Sequence, residues 1–167
     1  EKDFKLVNFT NINYINNSIY ILSILLFYLF PFVILRIKEF FNYYKTNLNI
    51  FALLCLPFIS IFIIEIFNIF SIINDVRFGG GLIYKISKLS NIPSYLILIP
   101  SSLLSMIFLD FIFKTDRLLN YFILLLVILS FPLASIYQKY FDPLMYIILF
   151  GLIKSDYLKE LFQAEFV

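Results

Sequence analysis

Four apolar runs, Ile19 to Ile37, Ile50 to Ile73, Ile92 to Phe113 and Leu118 to Ile136, decide most of what this chain can become. Each is close to the roughly 20 residues a helix needs to cross a hydrocarbon core about 30 Å thick. Strands of that length are excluded, because a sheet edge in lipid leaves backbone N–H and C=O groups unpaired. The composition leaves no soluble alternative: 62% of residues are hydrophobic and 14% charged, with a mean hydropathy of +0.93. Soluble domains run nearer about 45–50% apolar and about 25% charged. The expected fold class is all-α, a polytopic transmembrane helical bundle that makes residues 1–167 one membrane domain. The expected setting is multi-pass, in a bacterial inner membrane or an organellar membrane.

Beyond the four spans, two shorter segments are expected to be helical. In residues 82–90, Leu82, Ile83, Ile86 and Leu89 share one face while Lys85, Ser87 and Lys88 fall on others, the pattern of a helix lying in the membrane interface. Pro143 to Ile153 is apolar but too short to cross comfortably, so it reads as a half-helix or as the start of a tilted fifth helix. Pro31, Pro57, Pro100 and Pro132 fall inside the spans, where neighbouring helices can re-satisfy the carbonyl each one frees.

Charge does not fix the orientation. With four crossings, Lys2, Lys5, Arg77, Lys85, Lys88, Lys139, Lys154 and Lys159 face Arg36, Lys38, Lys45, Lys114 and Arg117 across the membrane. If the last apolar run also crosses, Lys154 and Lys159 change sides and the two sides become nearly equal.

Several chemistries are absent from the sequence. There is no His, so no Ser-His-Asp triad and no histidine relay. Cys55 is the one cysteine, which excludes an internal disulfide and a cysteine cluster. The acids are scattered, giving no hard-cation site, and neither a metal nor another cofactor is expected. A net charge of +2 gives no footprint for nucleic acid. The abundance of Phe, Ile and Asn beside few Gly and Ala follows the codons of an A/T-rich genome and carries no site. Residues 1–18 lack the pattern of a signal peptide, and the chain is expected to be a fragment of a longer protein, with the rest of its own chain or other membrane subunits, besides the bilayer, as partners.

Four places can carry function. Glu65 is the one charge in Ile50 to Ile73, roughly 5 Å from the midpoint of that run as a single helix. A carboxylate there must be paired, wet or protonated. It reads either as an acid, base or substrate contact inside the bundle or as a protonated group bonded to a neighbouring Ser, Asn or Tyr, or snorkelling to the interface. Asp110 reads more simply as the partner of Lys114 one turn later. Arg77, Gly79, Gly80 and Gly81, followed by the Lys85 helix, combine a flexible backbone, a helix N-terminus and positive charge. They form either a lipid-phosphate site or a turn touching ordinary headgroups. Tyr137, Lys139, Tyr140 and Asp142 gather between two apolar runs, either as interface anchors with an Asp-Pro helix start or as part of a site.

The segment FPLASIYQKYFDPLMYIILFGLI, with a little support from RFGGG, resembles the C-terminal membrane part of GT-C-type polytopic glycosyltransferases, and among these the glucosyltransferases that extend lipid-linked oligosaccharides. The resemblance covers about 25 residues. It implies transfer of a sugar from a polyprenyl-phosphate lipid, without a nucleotide, by an acidic base on a loop after the first helix. That loop is not identified, and neither Glu1 nor Asp3 is marked as the base, so the catalytic residue stays unknown. It makes Arg77, Lys85 and Lys139 candidates for donor phosphate, and Tyr137, Tyr140 and Asp142 candidates for shaping a pocket. A transporter path lined by Glu65 and a non-catalytic structural subunit remain the alternatives.

Overall fold

The computed structural model describes residues 14–67, 69, 72–73, 80–130, 144 and 147–164, with residues 149, 150 and 161–164 described in backbone alone. Helices α1 (Tyr14–Leu35), α2 (Ile37–Thr46), α3 (Leu48–Ile66), α4 (Gly81–Leu89) and α5 (Ser94–Ile112) follow one another. A 3₁₀ turn (Phe113–Thr115) joins α5 to α6 (Arg117–Leu129), and a π-helical turn (Ile148–Leu152) precedes α7 (Asp156–Ala164). Among the described residues there is no strand, and the fold is all-α.

Among the described residues three helices are long and apolar enough to cross a membrane: Tyr14–Leu35, Leu48–Ile66 and Ser94–Thr115. Pro31, Pro57 and Pro100 lie inside them. The first begins earlier than its apolar run, because the polar Asn16 and Asn17 are buried within the bundle. Its end is set by Arg36, which takes a non-helical φ of −127°. The second expected span divides: its helix stops at Ile66, and Phe67 and Ile69 turn back with bonds to the carbonyls of Ile63 at 3.0 Å and Ile64 at 3.1 Å. The second of these is the six-to-one closure of a helix end. The fourth run is helical as far as Leu129, and Phe131 to Ile136 lie outside the described residues. Helices α2 and α7 are additional to the expected elements. In α2, IKEFFNYYKT, Phe40 and Tyr44 are buried at i, i+4 while Lys38, Glu39 and Lys45 are exposed, so it is amphipathic.

The core is built on α1 and α5, the most extensively packed pair. Ile19 to Leu25 are all buried, so the first half of α1 is enclosed on every side; the second half buries only Leu29 and Val33, one stripe. Helix α5 does the reverse, with Ile107 to Ile112 continuously buried at its end. The two run parallel, so each is enclosed at opposite ends of the bundle. At the first end Tyr20 meets Tyr84 of α4 edge-on, with ring centroids 5.4 Å apart. At the other, Phe40 of α2 lies edge-on to Phe108 and Phe111 at 5.3 and 5.5 Å, and Phe111 to Tyr157 of α7 at 4.9 Å. Such pairs add about 0.5–1.5 kcal/mol each beyond area burial. Helix α3 stands outside this core and buries only Phe58 and Glu65.

The chain returns to the α2 end after its last apolar run. The Asn120 side chain, near the start of α6, accepts from the Lys154 N–H at 3.0 Å and donates to its carbonyl at 2.9 Å. Arg36, Lys38, Lys45, Lys114, Arg117, Lys154 and Lys159 therefore gather at the α2 end, while Lys85 and Lys88 lie on α4 at the other.

Candidate functional site

Asp110 is the most heavily served charge in the bundle. It is buried, at 2% exposed, on the enclosed end of α5. The Tyr121 hydroxyl of α6 donates to Oδ1 at 2.8 Å, and the Tyr43 hydroxyl of α2 donates to Oδ2 at 3.2 Å. Tyr44 has one proton for two acceptors, the Ile107 carbonyl at 2.7 Å and Asp110 Oδ2 at 3.2 Å, and the shorter contact claims it. Arg117 Nε stands 3.5 Å from Oδ1, an ion pair without hydrogen-bond alignment. The guanidinium also donates to the Tyr43 hydroxyl, so an Arg117–Tyr43–Asp110 chain joins α6, α2 and α5. Burial first, and then the negative charge of Asp110, raise the Tyr43 and Tyr44 hydroxyls above the usual phenol range, which keeps them as donors.

The expected Asp110–Lys114 pair does not form. Helix α5 ends at Ile112, and the 3₁₀ turn that follows carries Lys114 off the Asp110 face. The Lys114 ammonium lies instead 5.2 Å from the centre of the Phe111 ring and 5.8 Å from that of Tyr157. Arg117 takes its place beside the acid.

Around this acid, α7 is locked down by groups that absorb the open ends of other helices. Ser155 donates to the Ile112 carbonyl at 2.7 Å and accepts from the Leu158 N–H at 3.4 Å, which makes it the N-cap of α7. The Tyr157 hydroxyl donates to the Phe32 carbonyl, in the last turn of α1 where carbonyls lack an intrahelical partner. Arg36 pairs with Glu160 at 2.9 Å and Glu39 at 3.4 Å.

Glu65 does not sit within a helix that runs on to Ile73; it occupies the last turn of α3. Its Oε1 accepts from the backbone N–H groups of Ile72 and Ile73 at 2.7 and 2.5 Å. The buried carboxylate, 6% exposed, ties the segment leaving α3 back to the helix.

Gly80 and Gly81 both take positive φ, 79° and 77°, and both are buried. A Cβ on Gly80 would lie 2.3 Å from Tyr84 Cδ1, so this glycine lets the Tyr84 ring fold over the backbone that opens α4. Lys85 is exposed, and the Lys88 ammonium lies 5.4 Å from the centre of the Tyr84 ring. Arg77, Gly79, Tyr137, Lys139, Tyr140 and Asp142 lie outside the described residues. Between α1, α5 and α6 runs a crevice lined by apolar side chains, among them Leu25, Leu109, Phe113, Leu124 and Ile148. Among the described residues no three His, Cys, Asp or Glu side chains come together as metal ligands.

Sequence reasoning missed the Asp110 cluster and the Asn120 clamp. The available signal was the seven-residue spacing of Asp110 and Arg117, two helical turns, beside Tyr43-Tyr44. Comparison with protein-family models, curated proteins and solved structures finds no match to this chain.

Proposed function

We propose that this chain is an architectural multi-pass membrane domain, whose ionisable groups within the bundle hold helices together and do not meet a substrate. One observation carries the reading: Glu65 and Asp110, the two buried acids among the described residues, have internal partners, backbone N–H groups for one and tyrosines with an arginine for the other. A transport path would need Glu65 to face water or cargo, whereas the residue is 6% exposed and its Oε1 is taken by two backbone N–H groups. Reconstitution in liposomes tests this. The architectural reading expects proton and alkali-cation flux equal to that of empty vesicles, with Glu65→Gln indistinguishable from the parent. A saturable flux lost in Glu65→Gln overturns it.

The glycosyltransferase resemblance stands as a separate proposal, favoured by the positive-φ glycines set directly before the basic helix α4. It expects a polyprenyl-phosphate sugar to bind the complete protein, with Arg77→Ala or Lys139→Ala weakening that binding. Equal binding by parent and variants removes it.

A further inference from the structure

The outward face of α4 exposes three apolar side chains: Leu82 is 46% exposed, Ile86 48% and Leu89 85%. Its inward face, Gly81, Tyr84 and Ser87, is buried against α1 and α5. Lys85 and Lys88 are exposed, and the helix, GLIYKISKL, contains no acid. It lies between the exit of α3 and the entry of α5, at the level where the apolar helices end. Its C-terminus is closed by a Schellman motif, with Asn91 at φ 54° and bonds from Ile92 to Ser87 at 3.1 Å and from Asn91 to Lys88 at 3.4 Å, so the helix stops cleanly and the chain turns down into α5.

We infer that α4 is a docking surface for anionic phospholipid: Leu82, Ile86 and Leu89 enter the acyl boundary while Lys85 and Lys88 hold negatively charged headgroups. The occupant is chosen by charge complementarity, since a helix with two lysines and no acid gains nothing specific from a zwitterionic surface. An apolar outer face with lysines beside it is what an interfacial helix presents to lipid. The inference rests on the membrane reading of the chain and adds the lipid class.

The absence of Trp from the chain makes the test direct, because Leu89→Trp creates a single indole reporter at an exposed position. The protein is reconstituted in phosphatidylcholine vesicles containing phosphatidylglycerol, with bromine on the acyl chains of one lipid or the other. Brominated phosphatidylglycerol is expected to quench more than the same amount of brominated phosphatidylcholine. The enrichment is expected to fall by about fivefold for each lysine removed in Lys85→Gln and Lys88→Gln, and to weaken in high salt. Ile86→Trp, read the same way, guards against a local defect at residue 89. Equal quenching by the two lipids overturns the anionic preference and leaves the membrane reading standing. No quenching by either, together with release of the protein by alkaline carbonate, overturns both.

Discussion

The Tyr121 hydroxyl on α6 donates to Asp110 on α5 at 2.8 Å, across the 3₁₀ turn that separates the two helices. Tyr43 and Arg117 meet the same carboxylate, so the acid is a junction of three helices. Hydrogen bonds to a charged group contribute about 1.5–3 kcal/mol, and leaving buried partners unserved costs more than the bond alone. Asp110→Ala is expected to destabilise the protein by about 3 kcal/mol and Tyr121→Phe by about 1–2 kcal/mol. Helix loss in detergent with rising temperature, followed by circular dichroism, reads both; a parent-like midpoint for Asp110→Ala refutes the junction.

Asn120 uses both ends of its amide on the backbone of Lys154. Asn120→Ala leaves a buried N–H and a buried C=O without their partner, a loss of about 2 kcal/mol. Asn120→Asp keeps the acceptor but turns an oxygen toward the Lys154 carbonyl, and is expected to be no better than alanine. Limited proteolysis near residue 154 is the readout, with both variants cut faster than the parent.

For Glu65 the order of variants matters more than the size. Glu65→Gln retains a carbonyl oxygen for the N–H groups of Ile72 and Ile73, whereas Glu65→Ala retains nothing. The amides of Ile72 and Ile73 are expected to exchange slowly in the parent, somewhat faster in Glu65→Gln and fastest in Glu65→Ala, as followed by hydrogen-exchange mass spectrometry. Equal exchange in all three removes the carboxylate as the tie.

Tyr157 supplies a pH signature. Burial raises its hydroxyl from the ordinary 10.0 to about 12, and the positive Arg36 nearby offsets only part of that rise. A phenol that holds its proton more tightly when folded adds stability that is complete below pH 10.0 and disappears as pH climbs through about 12. Unfolding midpoints are expected to fall across that window, and Tyr157→Phe, which has no proton to lose there, is expected to show a flatter decline.

Much of the architecture was legible because lipid allows few choices: an apolar run the length of Ile92 to Phe113 has to be a helix. The pieces that were not legible are the amphipathic ones. Helix α2 was not among the expected elements, because the meaning of Phe40 and Tyr44 depends on the partner they face, α5, and not on local pattern. Glu65 was read within one continuous helix because hydropathy does not register that the chain turns at Phe67. The pairing of Asp110 with Arg117 depended on a 3₁₀ turn that sequence spacing ignores, so the nearer Lys114 was the natural and mistaken choice. The helix at α4 was legible from its spacing, but not which side packs inward: Ser87 is buried while Leu82, Ile86 and Leu89 are exposed.

The bond from Tyr157 to the Phe32 carbonyl and the pair between Arg36 and Glu160 join residues separated by 125 and 124 positions. A ribosome delivers Phe32 and Arg36 long before their partners. Until α7 is made the last turn of α1 waits without it, and the closing contacts form only after every other described helix has emerged. Among the described helices the polar end of the bundle is thus closed last, and arrest of translation before α7 would leave α1 without the contacts that close its final turn.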